Sequence, residues 1–75
     1  MNEAITLDEL IEYGKSHGAN IVNGMPWSFD YKGHPLSHEN DDCYIIGLPN
    51  GSLRFNRGDL LITNAKGELY LNTSI

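Results

Sequence analysis

Glycine-bearing turn signals dominate the chain after residue 19. They are Asn23-Gly24, Lys32-Gly33, Pro49-Asn50-Gly51, Arg57-Gly58 and the run Asn64-Ala65-Lys66-Gly67. Such pairs supply the left-handed backbone of tight turns. The segments between them are too short for stable helices and long enough for strands. Strands joined by tight turns pair antiparallel with their neighbours. At 75 residues the chain has room for one core, so it reads as a single domain over 1–75.

The strands follow from the periods between those turns. Asn20-Ile21-Val22 is a short extended piece. Trp27, Phe29 and Tyr31 alternate with Ser28 and Asp30, which predicts a strand with an aromatic face. Lys32-Gly33 closes a hairpin, but Pro35 predicts that the returning segment is an edge strand or no strand. Ser37 to Asp42 is polar and reads as a loop. Cys43 to Leu48 is nearly continuous apolar, as in a central strand buried on both faces. Ser52–Asn56, Asp59–Thr63 and Glu68–Asn72 complete a meander. One face is expected to carry Tyr44, Ile46, Leu53, Phe55, Leu60, Ile62, Leu69 and Leu71. The other carries Ile45, Leu61 and Tyr70, with Cys43 at its edge. Covering that second face takes either the aromatic strand curling over it or a second chain, and a homodimer is expected.

The N-terminal segment has a different period. Thr6 and Glu9 form a capping box, with Ile5 and Leu10 placed as a hydrophobic staple. Leu7, Leu10, Ile11 and Gly14 make one apolar stripe. Asp8 and Glu9 in the first turn and Lys15 and His17 in the last match the helix dipole. Gly18 is a natural terminator. A helix from Leu7 to about His17 is predicted. The fold class is α+β: one N-terminal helix packed on a small, curved antiparallel sheet, a meander or partial barrel.

Composition narrows the function classes. Hydrophobic residues are 40% and charged residues 20%, the balance of a folded domain. The net charge of −5 argues against direct nucleic-acid binding, which needs a basic face. A single Cys excludes an intrachain disulfide framework and points to a reducing compartment, so a cytoplasmic location is expected. No apolar run approaches ~18 residues, so no membrane span is expected. The first residues lack the basic and apolar regions of a signal peptide.

The densest polar cluster runs from His34 to Cys43 and holds two His, one Cys and three carboxylates. His34, His38 and Cys43 are zinc-ligand types. They lack the paired spacing of a structural site, and a solvated acidic loop explains the run equally well. Asp41 and Asp42 deny Cys43 the positive surroundings that a reactive thiolate needs, which works against a Cys43 nucleophile. A carboxylate pair for acid–base work is drawable from Glu39, Asp41 and Asp42. Yet a chain of this size offers little depth for an enclosed site. No metal, cofactor or catalytic residue is expected, and the chain does not read as an enzyme. Arg57-Gly58-Asp59 spells an adhesion tripeptide and reads as a turn. Asn50-Gly51-Ser52 and Asn72-Thr73-Ser74 are sequons that matter only in a secreted chain.

The run Arg57 to Tyr70 carries a pattern of its own. Gly58-Asp59, the apolar Leu61-Ile62, a short turn, Gly67-Glu68 and Tyr70 stand in order. This resembles the Pro-Gly-Asp-Tyr-Gly type of small phage-encoded protein. Arg57 stands where that type has Pro, Leu60 where it has an aromatic, and no Pro follows Tyr70. The resemblance carries no catalytic residues. It implies a phage or prophage accessory protein, a class that commonly acts by binding a host protein, as anti-CRISPR, anti-restriction and polymerase-inhibiting proteins do.

An inhibitor of this sort needs a rigid scaffold and a few anchor side chains. The expected partner-binding residues are Trp27, Phe29, Asp30, Tyr31, Glu39, Asp41 and Asp42. The function expected is occlusion of a host protein, of which a defence system is the leading class. The alternative is a nucleotide-binding module formed between protomers around the Trp27–Tyr31 strand and the His34–Asp42 segment.

Overall fold

The computed structural model describes residues 2–72. Strand β1 (Glu3–Ile5) leads directly into helix α1 (Leu7–Ser16). The capping box forms in full: the Glu9 N–H donates to Thr6 Oγ1 at 3.2 Å, and the Thr6 N–H donates to Glu9 Oε1 at 2.8 Å. At the other end Gly18 takes φ +80, and the Ala19 N–H reaches back to the Gly14 carbonyl at 3.2 Å. That bond and the left-handed glycine make the Schellman ending expected of Gly18. Leu7, Leu10, Ile11 and Gly14 are the buried stripe.

Asn23 and Gly24 both have positive φ, as do Lys32 and Gly33. Two consecutive left-handed residues make the type I′ turn whose twist matches paired strands. The first joins β2 (Ile21–Val22) to β3 (Met25–Pro26), and the second joins β4 (Ser28–Tyr31) to β5 (His34–Asn40). β6 (Cys43–Leu48) and β7 (Gly51–Asn56) continue the meander, giving a four-stranded antiparallel sheet in the order β4-β5-β6-β7. β8 (Leu60–Thr63) and β9 (Leu69–Asn72) form a second sheet with β1, in the order β1-β8-β9. The protein is therefore mainly antiparallel sheet with one N-terminal helix. The described strands form separate sheets and close no barrel.

The structure departs from the sequence reading in three places. The segment containing Ser37–Asn40 is strand, not loop, and β5 is an inner strand despite Pro35. In a two-residue hairpin the pair flanking the turn exchanges both hydrogen bonds and the next pair exchanges none. Pro35 sits in that next pair, opposite Asp30, so its missing N–H costs no bond to β4. On the other side the paired register with β6 begins at Leu36, one residue beyond the proline. The second correction is β1, which pairs Glu3, Ala4 and Ile5 with Thr63, Ile62 and Leu61. The third is the facing of β8. Leu61 and Thr63 point inward and Leu60 outward, the reverse of a single continuous sheet.

One core joins these parts: Leu7, Leu10 and Ile11 from the helix, Tyr31, Leu36, Tyr44, Ile46 and Phe55 from the larger sheet, and Leu61 and Leu69 from the smaller. Ile45, expected on a second buried face of β6, is only half-buried. The Tyr44 hydroxyl donates to the Pro26 carbonyl, which ties β6 to β3 through the core.

Candidate functional site

The hairpin register that places β5 also builds the candidate site. Counting four pairs outward from Tyr31 and His34 puts Trp27 opposite His38. The His38 N–H donates to the Trp27 carbonyl at 2.8 Å, while the Trp27 N–H is taken by the Asn20 carbonyl at 2.9 Å. The two side chains stack with centroids 5.0 Å apart and planes 17° from parallel. His38 in turn meets the buried Tyr44 ring edge-on, at 5.4 Å and 89°. The imidazole Nε2–H donates to Asp41 Oδ1 at 2.9 Å. Trp27 is thus braced on one side yet remains 43% exposed.

The register between β5 and β6 shifts between His38 and Asn40, and Glu39 is the extra residue. A bulge of this kind re-aims a side chain and bends the strand. Here it turns Glu39 to solvent beside His38. The turn that follows is held by Asn40 Oδ1, which accepts from the Asp42 N–H at 2.8 Å. Together His38, Glu39, Asp41, Asp42, Cys43 and Asn56 line an open depression of about 580 Å³.

Arg57 reshapes the electrostatics of this region. Its Nε donates to Asp42 Oδ1 at 2.8 Å, its Nη2 to the Asp41 carbonyl at 2.7 Å, and its Nη1 to the Asp8 carboxylate on the first turn of α1. These bonds to Asp42 and Asp8 hold the guanidinium further into its charged form. Arg57-Gly58-Asp59 is therefore a structural corner. The Asp59 N–H donates to the Asn56 carbonyl at 3.0 Å, and the Asp59 carboxylate accepts from the Asn56 N–H at 3.1 Å. Glu39 and Asp30 form no ion pair among the described residues.

The structure brings together some of the expected partner-binding residues and separates others. Trp27, Glu39 and Asp41 are exposed around His38. Asp42 is exposed but engaged by Arg57. Phe29 is half-buried, with its ring 6.0 Å from Tyr44 and packed over Gly14. Tyr31 is only 5% exposed and is a core residue, not an anchor: it lies under the helix, edge-on to Tyr13 at 5.0 Å. Burial raises its pKa. Asp30 is exposed, but strand alternation sends it to the face opposite Trp27.

His34 and His38 sit four residues apart on an extended strand, roughly 13 Å, and serve different partners. The His34 Nε2 lies 3.3 Å from the Gly67 carbonyl. Cys43 is buried. No group of three His, Cys, Asp or Glu side chains converges among the described residues. Ser28–Tyr31 and His34–Ser37 pair as one hairpin. Leu61, expected to be covered by the aromatic strand or by a second chain, is fully buried within its own chain. No helix among the described residues is long and apolar enough to cross a membrane. The chain matches no protein-family model, no curated protein and no solved structure.

Proposed function

We propose that the chain is a phage- or prophage-encoded inhibitor that binds a host protein, of the kind that blocks a defence system, and that it acts by occlusion. The observation that carries this reading is Trp27, a large aromatic that is 43% exposed yet fixed by stacking on His38. Exposed aromatics held in one geometry lose little freedom on binding and dominate interface energies. Glu39 and Asp41 beside it supply negative charge that steers a basic partner surface. The site has an anchor and a charged rim, which is what occlusion requires. The phage origin rests on the resemblance over Arg57 to Tyr70. The test is affinity capture from bacterial lysate with the parent and with Trp27→Ala. A partner retained by the parent, lost by the folded variant, and inhibited on addition of the parent supports the reading. Equal retention by both refutes the Trp27 face.

A further inference from the structure

His38 is held between three unlike neighbours, and each responds to its charge. Its ring lies flat on the Trp27 indole, with centroids 5.0 Å apart, and edge-on to Tyr44 at 5.4 Å. Its Nε2–H donates to Asp41 Oδ1 at 2.9 Å. The His38 side chain is 11% exposed, against 76% for Asp41. The remaining ring nitrogen, Nδ1, has no hydrogen-bond partner among the described residues. Thr63 Oγ1 is the one buried, unpartnered side-chain polar atom among those residues, so Nδ1 is within reach of water. A second proton can therefore be added there without breaking the bond to Asp41. The other groups around the ring hold their charge. Burial pushes the Tyr44 phenol up to about 12, so it stays neutral throughout the range in which histidine titrates. Arg57 is engaged elsewhere, at 2.8 Å from Asp42 Oδ1 and 2.7 Å from the Asp41 carbonyl. Cys43, at the start of β6, is buried. Asp41 pairs with His38 alone and Glu39 with no cation among the described residues.

We propose that His38 is a proton-controlled element that sets the charge of the Trp27 face. With His38 neutral, Glu39 and Asp41 present two negative charges beside the indole. A proton on Nδ1 turns the bond to Asp41 into an ion pair and cancels one of those charges. It also places a cation flat against the indole, an attractive contact that holds Trp27 more firmly. Protonation thus fixes the aromatic while weakening the field that draws in a basic surface. The other two histidines are placed differently. His17 stacks on Tyr13 at the end of α1, and His34 lies by the Gly67 carbonyl. Among the described residues only His38 stacks on the chain's single Trp. A basic partner is accordingly drawn in fastest near neutral pH and more slowly on acidification. That consequence rests on the reading of this face as a partner surface; the change of charge does not.

The single Trp makes the change readable without a partner. Trp27 emission, excited beyond the tyrosine band at fixed ionic strength, is followed from about pH 8 to about pH 5, across histidine's ordinary range. An imidazolium quenches a stacked indole more strongly than an imidazole does, so the parent's emission should fall in one step on acidification. Cesium and iodide then probe the local charge. Cesium should quench Trp27 better, relative to iodide, above the step than below it. His38→Gln, shown to be folded by circular dichroism, should remove the step and most of the change in the quenching ratio. His17→Gln and His34→Gln should keep both. Asp41→Asn, at an exposed position, gives a second reading if His38→Gln fails to fold. It should lower the midpoint of the step by roughly 0.2–0.7 pH units, the effect of an exposed ion pair. Parent emission and a quenching ratio that stay flat overturn the inference. So does a step that survives in folded His38→Gln, or an Asp41→Asn midpoint equal to the parent's. Once the step is seen, a captured host protein that associates equally fast at both ends of the range refutes the partner-surface reading and leaves the charge change in place.

Discussion

Gly14→Ala sets two opposing effects against each other on the face that holds the helix to β4. In an exposed helix interior, alanine in place of glycine stabilises by about 1 kcal/mol. Here a Cβ built at Gly14 meets Phe29 Cε1 at 2.7 Å and Cζ at 2.8 Å. Contacts that short force a shift. The Phe29 ring has little room to give, because Tyr13 and Tyr44 stand within 6.4 Å and 6.0 Å of its centroid. Overpacking of this kind costs about 1–3 kcal/mol. The overpacking outweighs the helical gain, and a net loss of about 1 kcal/mol is expected. In a domain of this size that lowers Tm by roughly 4–8 °C. Thermal unfolding followed by circular dichroism measures it. Adding Phe29→Leu to Gly14→Ala should recover part of the loss by vacating the clash. A Gly14→Ala variant that melts above the parent refutes the claim that Phe29 is fixed against the helix.

Thr6→Ala removes one half of the capping box and should cost about 1 kcal/mol in chemical denaturation; an unchanged midpoint would place the stabilisation elsewhere. Burial, and secondarily the Asp41 charge, push the Tyr44 pKa from its ordinary 10.0 up to about 12. A raised folded pKa means stability is complete below pH ~10 and falls as pH rises toward about 12, by up to roughly 3 kcal/mol. Tyr44→Phe should start less stable, having lost its hydrogen bond to Pro26, but should lose less on going through that window. Arg57→Gln frees Asp8 and the Asp41–Asp42 turn together, and amide hydrogen exchange at Asp42 and Arg57 should quicken without loss of the core signals.

The legible parts of the fold were those specified by neighbours in sequence. Thr6 and Glu9 are three residues apart, and the helix began where they indicated. The Asn-Gly and Lys-Gly pairs marked turns because the backbone conformation they favour is local. β5 was hidden because Pro35 argues against a strand until the hairpin register shows that its nitrogen faces no partner on β4. β1 was hidden because three residues acquire strand character only from β8, far along the chain. The inward facing of Leu61 followed from a division into two sheets that alternation within one strand does not encode.

The candidate site was half legible for the same reason. Trp27, Phe29 and Tyr31 share a strand parity, but their burial deepens along β4 as the helix covers the Tyr31 end. The stacking of His38 on Trp27 was available by counting back from Lys32-Gly33, once that pair is taken as a two-residue turn. The Glu39 bulge had no signal. Nor did the Arg57 bonds, which join residues 15 and 49 positions apart.

The most direct measurement is the binding of a captured host protein to the parent, to Trp27→Ala and to the double variant Glu39→Gln/Asp41→Asn, across salt concentration. The account predicts that Trp27→Ala, still folded, weakens binding by about 2 kcal/mol or more. It predicts that the double variant slows association and flattens its salt dependence. Binding by both folded variants with the parent's affinity, rate and salt dependence would contradict it.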